Sequence, residues 1–342
     1  MNLAVVIVAH DEGDGLTPGL DELARQRRDG DEIVVVHNTS GAPGVARTAE
    51  VARAHPAVRL IETGGNTGFG HAANRGAAET SAETIVVLNP DTVPEPGCLD
   101  ALREPPPGWD AWMGLITMGD GRTVNTAGNV AHYLGFGWVG RYGAPVESVP
   151  PEPHEVGFVS GACFAIRRPV FEELGRFPES FFVYVEDTDL SHRVRLAGRR
   201  LGVLPGARLR HDYEFGGRAF KMFELEKNRW LMVLRCYPRP LLARVMPAML
   251  LLEPIMLVIA ARQGWLRAKL DAMRAVAGGL RGALRERREV QATARIPAHA
   301  FAASLESDLD SPLFGDVGRS RIVRALLRFY WRFVTSTMTA TR

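Results

Sequence analysis

Short runs of apolar, mostly β-branched residues recur along the first 90 positions of the chain. They occupy residues 3–9, 32–37 and 84–89, and polar, alanine-rich stretches separate them. Continuous apolar runs of this length are typical of strands that are buried on both faces. Between the runs, residues 16–27 and 45–54 carry apolar side chains at helical spacing. The alternation predicts an α/β fold, in which helices cover a parallel sheet.

The pattern becomes irregular after residue 105. Residues 105–153 are rich in Gly, Pro and aromatic side chains and have no clear period, which predicts loops and short strands over the sheet. Regular patterns then return as a strand-like run, two helices and a further strand: residues 157–166, 169–174, 189–197 (ended by Gly198) and 200–204. We assign residues 1–235 to one α/β domain with two halves, residues 1–100 and 101–235.

Two C-terminal segments have patterns that bear on membranes. Residues 241–261 form an apolar run that four residues interrupt: Arg244, Pro247, Glu253 and Pro254. Its length permits a membrane span of about 20 residues, but the charges and prolines favour an interfacial or re-entrant helix pair, with a buried core helix as the third alternative. Residues 319–332 interleave apolar residues with arginines and no acid, typical of a membrane-surface helix or of a solvated helix packed on the main domain. We predict that residues 236–342 are helical, basic and membrane-associated.

The composition is that of a globular protein, with 46% hydrophobic and 23% charged residues, which excludes a largely disordered or fibrous chain. The formal net charge is only +2, but basic residues are concentrated in the C-terminal third. Three widely spaced cysteines match neither a disulfide framework nor a metal site, which favours a reducing compartment. The chain begins with the first strand and has no secretory signal pattern. We therefore expect a cytoplasmic protein, peripheral to the inner face of a bacterial-type membrane.

Asp91 and His211 are candidate metal ligands. Asp91 follows the third buried run, in the segment Asn89-Pro-Asp-Thr92, and open α/β sheets bind ligands at the carboxyl ends of their strands. A carboxylate there can hold Mg²⁺ or Mn²⁺ against a diphosphate, although the same four residues also favour a simple turn. His211 ends a later strand-like segment and offers an imidazole ligand, although a structural role suits a lone histidine at least as well.

Three carboxylates lie within four residues at Glu186, Asp187 and Asp189, directly after an aromatic run. Mutual repulsion and aromatic surroundings raise the pKa of a carboxyl group toward the range of a general base. Helix capping is the alternative, because the dipole of a helix favours negative charge at its start. Both explanations can hold for different residues of the motif.

A glycine-rich stretch competes with these candidates. Gly68, Gly70 and Ala73 match the spacing of a dinucleotide-binding fingerprint, and Asp91 lies at the distance where an acidic residue is expected. That fingerprint normally joins the first strand to the first helix, whereas two β-α elements precede it here. A nicotinamide-dependent enzyme is therefore disfavoured.

Taken in order, these segments resemble the family 2 glycosyltransferases, especially the non-processive, rhamnosyltransferase-like members with the glycosyltransferase A fold. The resemblance covers residues 3–235 and rests on seven motifs in the family's order: residues 5–12, 38–40, 66–70 with Asn74 and Gly76, 89–91, 160–162 with Arg167 and Arg168, 186–190, and His211. It implies a mostly parallel, Rossmann-like sheet flanked by helices, plus a helical membrane-associating C-terminal region. No Gln-x-x-Arg-Trp motif follows the Glu186 cluster, so single-sugar transfer is expected rather than polymer synthesis.

The resemblance implies an inverting, metal-dependent transfer, with residues 1–100 as the nucleotide-donor half and residues 101–235 as the acceptor half. Asp91 and His211 would hold a divalent metal, Mn²⁺ or Mg²⁺, on the diphosphate of an NDP-sugar, and Asp187 would take the acceptor's proton. Glu186 and Asp189 would orient this base and cap the helix. Substrate contacts are expected at Ala9, Asp11, Glu12, His37, Asn38, Asn66, Gly70, Asn74, Asn89, Gly161, Lys221 and Arg229.

The expected donor is dTDP-rhamnose first and UDP-linked hexoses next, and the expected acceptor is a polyprenyl-diphosphate-linked or other envelope glycan rather than a nucleic acid. Lys221 and Arg229 belong to a basic stretch that would face the acceptor's phosphates, or else a solvated helix face. Two positions depart from the family, because His37 replaces a nucleotide-binding Asp and Asn89 replaces the first acid of the metal site.

Two other functions fit parts of the sequence. A nucleotide-sugar pyrophosphorylase has a similar sheet, but no glycine-rich loop followed by Arg and Lys comes after the first strand. A non-catalytic protein that binds a nucleotide or a membrane surface would keep the fold while His37 disables the donor site. The presence of Asp91, Asp187 and His211 counts against this second alternative.

Overall fold

The computed structural model describes residues 1–39, 45–211, 219–315 and 320–339. Ser40 of the second-strand motif and Arg319 of the predicted basic helix lie outside these ranges. The chain forms two compact units. The sheet unit comprises Met1–Asn129, Val139–Val194 and Arg199–Glu214, and the helical unit comprises Val130–Trp138, Arg195–Gly198 and Phe215–Arg342.

The sheet unit contains the main sheet of the fold. Those described are β1 (Leu3–Ala9), β2 (Glu32–His37), β3 (Val58–Glu62), β4 (Thr84–Leu88), β5 (Thr92–Pro94), β6 (Trp109–Thr117), β7 (Val124–Thr126), β8 (Asn129–Ala131), β9 (Gly137–Val139), β10 (His154–Glu155), β11 (Cys163–Arg167) and β12 (Arg200–His211). The main sheet has the order β10-β12-β6-β11-β4-β1-β2-β3, with β5 beside β12 and β7 beside β6, while β8 pairs with β9 separately.

Helices connect the first strands and make up most of the C-terminal part. Those described are α1 (Thr17–Gln26), α2 (Val45–Ala54), α3 (Phe69–Ala78), α4 (Cys98–Leu102), α5 (Arg168–Glu173), α6 (Glu186–Leu196), α7 (Ala219–Cys236), α8 (Arg239–Arg262), α9 (Leu266–Ala292), α10 (Ala298–Ala302) and α11 (Arg321–Thr339). Short 3-10 turns lie at Gly13–Leu16, Val146–Ser148 and Pro312–Phe314. The four helices predicted before residue 200 are therefore confirmed, and the last of them begins three residues earlier than expected, at Glu186.

The first four strands form the parallel part of the sheet. β1 lies between β2 and β4, β3 lies outside β2, and all three pairings are parallel. All residues of β1 and β4 are buried, as their unbroken apolar sequences predict. Gly76 lets α3 approach this core closely, because a Cβ atom there would overlap Val6 and Val36. The predicted α/β fold is confirmed.

The prediction of loops and short strands for residues 105–153 is wrong for β6, a nine-residue strand between β12 and β11. β6 is parallel to β12 and antiparallel to β11, so the sheet becomes mixed beyond β4. β12 also continues far beyond residue 204, through a register shift between Leu204 and Arg208. Pro205 and Gly206 lie in this irregularity, where a strand tolerates both residue types.

Residues 241–261 form one continuous helix, α8, instead of the predicted pair of helices. α8 passes through Pro247 and Pro254 without a break. Its length and composition would allow it to cross a membrane, a criterion that core helices of soluble proteins also satisfy. One face is buried in the helical unit at Leu241, Val245, Met249, Glu253, Met256 and Ala260, and exposed apolar residues lie at Leu250, Leu251, Ile255 and Val258.

Candidate active site

The sheet brings Asp91 and His211 together. β12 runs antiparallel to β5, and their register places His211 opposite Thr92. His211 Nε2 therefore lies 3.0 Å from Asp91 Oδ1. The histidine side chain is only 5% exposed, whereas that of Asp91 is 53% exposed. The pair thus presents a carboxylate to solvent with a buried imidazole behind it.

A neighbouring amide fixes the backbone of the histidine. Asn125 on β7 is buried, and its Nδ2 donates to the His211 carbonyl oxygen at 3.0 Å. The sequence patterns do not single out Asn125, because it lies in the stretch predicted as loops. A buried asparagine beside a strand end is the signal that identifies it once the strands are known.

The segment that carries Asp91 is a tight turn, as the alternative explanation for its sequence predicts. The amide and the hydroxyl of Thr92 both donate to the Asn89 carbonyl oxygen, at 3.2 and 2.6 Å. The amide of Asn89 donates to the Ala162 carbonyl oxygen at 3.3 Å. The turn and the metal-ligand interpretation are compatible, because these hydrogen bonds of the turn do not use the Asp91 carboxylate, which is exposed to solvent.

The charge state of Asp91 suits a cation. Burial raises the pKa of this carboxyl group, but the hydrogen bond and charge of His211 outweigh burial and lower the pKa below its usual value. The carboxylate is therefore ionised at neutral pH. Among the described residues, no group of three or more His, Cys, Asp and Glu side chains could hold a metal ion. A metal at this pair would have two protein ligands and leave positions open for phosphate oxygens, which Mn²⁺ and Mg²⁺ accept.

Three donors hold the carboxylate of Asp187 at the start of α6. Its Oδ2 accepts the Gly161 amide at 2.9 Å, and its Oδ1 accepts the amide and the hydroxyl of Thr188 at 2.6 and 3.1 Å. Burial raises the pKa of Asp187 and outweighs these hydrogen bonds, which lower it. The result is an oriented carboxylate with increased basicity.

One short segment connects the Asp187 carboxylate to the turn that carries Asp91. The Ala162 carbonyl accepts the amide of Asn89, and the neighbouring Gly161 amide donates to Asp187. Residues 160–162 therefore bridge the end of β4 and the start of α6. The sheet unit thus links the acid of the candidate metal pair and the candidate base through a few hydrogen bonds.

The chain enters α6 in a strained conformation. Tyr184 and Val185 have φ angles of 69° and 72°, in the left-handed region that β-branched residues rarely adopt. The Val185 carbonyl accepts the Asp189 amide at 2.8 Å, which starts the helix. Such strain costs on the order of 1–3 kcal/mol per residue and is concentrated at functional sites. It lies here directly before Glu186 and Asp187, the first two acids of the motif.

The two other acids of the motif are buried. Asp189 is fully buried, and its Oδ1 accepts Arg193 Nε at 2.7 Å in a buried ion pair. This pairing gives Asp189 a structural role within α6 rather than that of a base. Glu186 is 6% exposed in the first turn of α6, directly before Asp187 in the chain.

The loops after β1 and β2 lie at the same edge of the sheet, and their polar groups bind mainly each other. The Glu12 carboxylate accepts the amides of His10 and Asp11 at 2.7 and 3.0 Å, and its pKa is raised by burial. The carbonyl oxygen of the buried Ala9 accepts the Asn38 amide at 2.7 Å. Asp11 is exposed at this edge.

The side chain of Asn38 organises the loop before α3. Its Oδ1 accepts the amide and hydroxyl of Thr67 at 2.8 and 2.9 Å, and its Nδ2 donates to Asn66 Oδ1 and the Gly68 carbonyl. Asn66 itself is exposed. His37 is 6% exposed at the end of β2. Of the donor contacts expected here, Asp11 and Asn66 present the most accessible side chains.

Asn74 and Gly70 pack against the segment before α6. The buried Asn74 side chain donates to the Phe177 carbonyl and accepts the Phe177 amide, both at 3.0 Å. A Cβ atom on Gly70 would lie 3.2 Å from Phe177 Cβ and the Pro178 carbonyl oxygen. The Asn74 side chain is therefore not available to contact the donor as expected, and both residues hold α3 against residues 177–178.

The expectation that Arg229 faces an acceptor phosphate is also wrong. Arg229 is 3% exposed within the helical unit, and its guanidinium bonds Glu226 at 3.0 Å and Glu253 at 2.8 Å. Lys269 pairs with the same two carboxylates. Removing one partner from such a cluster costs about 3–5 kcal/mol because it leaves a buried charge uncompensated. Lys221 is half-exposed at the start of α7, and its contact with an acceptor phosphate stays a prediction.

The sequence of the chain is similar to those of known proteins. A family model described as "Glycosyltransferase like family 2" matches residues 1–233. The chain is 29% identical over 238 residues to the N-acetylglucosaminyl-diphospho-decaprenol L-rhamnosyltransferase of Mycobacterium tuberculosis. The aligned region covers 61% of this chain and 75% of that protein.

Two solved structures have a similar fold. GalNAc-T7, solved with UDP, GalNAc and Mn²⁺, has a TM-score of 0.57 at 18% identity, over 70% of this chain and 48% of that one. The mannosyltransferase PcManGT of Pyrobaculum calidifontis, in complex with GDP-Man and Mn²⁺, has a TM-score of 0.51 at 17% identity, over 99% and 87% of the two chains. These similarities confirm the predicted fold class.

Proposed function

The chain belongs to the glycosyltransferase-like family 2 and has the glycosyltransferase A fold, and from this premise we propose that it is an inverting, metal-dependent enzyme. It transfers one sugar from an NDP-sugar to an acceptor hydroxyl. The observation that carries the proposal is the connection through residues 160–162 between the Asp91 turn and the Asp187 carboxylate. It sets a candidate diphosphate anchor and a candidate base on neighbouring segments of one sheet edge.

In the proposed reaction Asp187 is the general base. It takes the proton of the acceptor hydroxyl as that oxygen attacks the anomeric carbon on the face opposite to the leaving nucleotide. Its raised pKa makes it a stronger base than an exposed carboxylate. Gly161 brings backbone close to the donor sugar without a side chain in the way, and Glu186 adjusts the electrostatics of the base.

Asp91 and His211 are the proposed ligands of a divalent metal, Mn²⁺ or Mg²⁺. A carboxylate oxygen and an imidazole nitrogen 3.0 Å apart are a suitable pair of donors for such an ion. When bound, the metal neutralises charge on the leaving diphosphate. The chain's own part is to hold the carboxylate ionised and to fix the histidine through Asn125. Asn89, Asp11, Glu12, His37, Asn38 and Asn66 would surround the nucleotide.

The donor and the acceptor are proposed from the relative's name. We propose L-rhamnose from dTDP-rhamnose as the first donor and a polyprenyl-diphosphate-linked glycan as the acceptor, because the Mycobacterium tuberculosis relative is named for a rhamnosyl transfer to such a lipid. Residues 1–235 would form the catalytic domain, and residues 236–342 would hold it at the cytoplasmic face of the membrane. Lys221 would meet the acceptor's phosphates.

An activity assay with separate omissions tests this function. The full chain is incubated with dTDP-rhamnose or UDP-hexoses, a polyprenyl-diphosphate-linked glycan and Mn²⁺, and each component is left out in turn. We expect nucleoside diphosphate to appear only when all three are present, and NMR to show the opposite anomeric configuration in the product. Release of nucleotide without an acceptor, or retention of configuration, contradicts the proposal.

The hydroxyl of Thr188 is expected to set the pKa of the base. Thr188→Val keeps the shape but removes a donor to the charged carboxylate, so the pKa of Asp187 rises further. Because the base must be deprotonated, the acidic limb of the kcat profile should move to higher pH by about half a unit to one unit. Turnover well above that limb should change little.

The matched control for this prediction is Thr188→Ser, which retains the hydroxyl and should keep the wild-type profile. Thr188 is buried, so melting temperatures of both variants are measured to detect a packing defect. A uniform drop of kcat at all pH values for Thr188→Val, with no shift of the limb, would refute the role.

A further inference from the structure

Exposed apolar side chains are concentrated on three helices of the helical unit. Among the described residues, fifteen large apolar side chains are exposed, and thirteen of them lie on α8, α9 and α11. Single exposed apolar residues are ordinary on a protein surface, but ordered groups of them mark an interaction surface. α11 shows the group most clearly.

One face of α11 is seated on the helical unit. The Trp331 ring stacks on the Tyr133 ring with centroids 4.7 Å apart, and Val334 is fully buried. Tyr330 donates its hydroxyl to the Arg244 carbonyl of α8, and Arg244 Nε donates to Thr337 Oγ1 at 3.0 Å. This face is therefore fixed, and the opposite face is directed to solvent.

The opposite face of α11, the apolar stripe, consists of Ile322, Leu326, Phe329 and Phe333. Their spacing of four, three and four residues places them on one side of a helix, and they are 58–74% exposed. The helix contains four arginines and no acid: Arg321, Arg324, Arg328 and Arg332. Arg324 and Arg328 pair with Asp310 and Asp308, while Arg321 and Arg332 are exposed.

α9 repeats this arrangement. Its exposed apolar residues also follow helical spacing: Leu266, Leu270, Met273, Leu280 and Leu284. Exposed arginines accompany them along the helix at Arg267, Arg274, Arg281, Arg285 and Arg288. α9 and α11 thus each combine a row of exposed apolar side chains with exposed arginines. This pattern is typical of helices that bind at the boundary between the acyl chains and the anionic headgroups of a membrane.

We propose that the apolar stripe of α11, with its flanking arginines, docks on the surface of an anionic lipid bilayer. Phe329 and Phe333 enter the acyl boundary, and Arg321 and Arg332 meet the headgroup phosphates. A second copy of the chain is the less favourable occupant, because it would bring the same positively charged face against this one. The inference deepens the proposed function, since a lipid-linked acceptor is reached at such a surface.

Vesicle flotation with the full chain, without nucleotide or acceptor, tests this docking. We expect binding to phosphatidylcholine vesicles that contain phosphatidylglycerol and weaker binding to phosphatidylcholine alone. The double variant Phe329→Ser, Phe333→Ser should weaken binding by about tenfold or more, since each phenylalanine loses its apolar burial. Arg321→Glu with Arg332→Glu should remove the preference for phosphatidylglycerol, and salt should weaken wild-type binding.

Phe220→Ser is the matched control, because Phe220 is 54% exposed but lies outside the three helices, and it should bind like wild type. Melting temperatures confirm that each variant is folded. The proposal is overturned if wild type binds neither vesicle, if the double serine variant floats like wild type, or if that variant instead converts a lipid-free dimer to monomer. Nucleotide binding is measured separately, so a failure of docking is distinguishable from a failure of the transferase assignment.

Discussion

Asp187→Asn is expected to abolish most turnover while nucleotide binding persists. The amide cannot accept the proton of the acceptor hydroxyl, and loss of a general base lowers kcat by about 10²–10⁴-fold. Oδ1 of the asparagine can still accept the two Thr188 donors, but its amino group then faces the Gly161 amide. That leaves one donor unsatisfied, which costs about 1–3 kcal/mol of stability. Initial rates at saturating donor and acceptor measure the effect.

The pH dependence of the wild type belongs to the same expectation. The pKa of Asp187 is raised by burial, so the base is active above that pKa, and the rate falls as the pH falls through it. Asp29→Asn is the control, because Asp29 is an exposed carboxylate of the sheet unit and should leave the rate unchanged. If Asp187→Asn keeps more than about a tenth of the wild-type kcat, Asp187 is not the base.

The strands that can be predicted from sequence are those whose environment is the same along their whole length. β1 and β4 are buried on both faces, so their residues form unbroken apolar runs. β6 is buried as well, but it contains Trp, Met and Gly instead of a β-branched run. Gly114 is required there because a Cβ atom would overlap the Ala207 carbonyl oxygen and Leu209 of β12. The residues of β6 therefore suit its packing against a neighbouring strand. A local hydrophobic pattern does not show that packing, so the strand is not predicted.

For the site, the sequence predicts which residues are candidate ligands but not how close they lie to one another. Asp91 and His211 can be proposed as ligands because of their chemistry and their positions at strand ends. Their 3.0 Å separation depends on the register between β12 and β5, and the period-two burial of side chains fixes a register only to within steps of two residues. Asn125 escapes detection because its importance comes only from the carbonyl that it binds.

The errors at Arg229 and Asn74 have one physical cause. A charged or polar residue in a motif is a candidate for ligand binding only if its hydrogen-bonding groups are not used inside the protein. Arg229 is neutralised by Glu226 and Glu253, and Asn74 is used by the backbone of Phe177. Glu253 belongs to another helix and Phe177 lies 103 residues from Asn74, so this burial and pairing become visible only in the structure.

Asp91→Ala is expected to remove the metal-dependent part of nucleotide binding. In the wild type, a nucleoside diphosphate at about 100 times its Kd should add about 2.7 kcal/mol of stability, and only when Mn²⁺ or Mg²⁺ is present. The variant loses the exposed oxygen ligand of the pair, so this increment should disappear in thermal-shift measurements with UDP, dTDP and GDP. Turnover should fall on the order of 10³-fold, because charge on the leaving diphosphate is no longer neutralised.

Substitution of His211, the partner of Asp91, tests whether the loss of nucleotide binding is caused by the loss of a metal ligand. His211→Gln keeps a hydrogen-bonding side chain at the strand end but removes the imidazole, so it should weaken the metal-dependent shift less than Asp91→Ala does. Asp120→Ala is the control, because Asp120 is an exposed acid of the same unit whose loss should leave the nucleotide shift intact. If nucleotides stabilise Asp91→Ala as they do wild type, with the same dependence on Mn²⁺, the ion is held elsewhere. If nucleotides stabilise the wild type equally in the presence of a chelator, nucleotide binding does not require a metal. That result would contradict the proposed role of the Asp91–His211 pair.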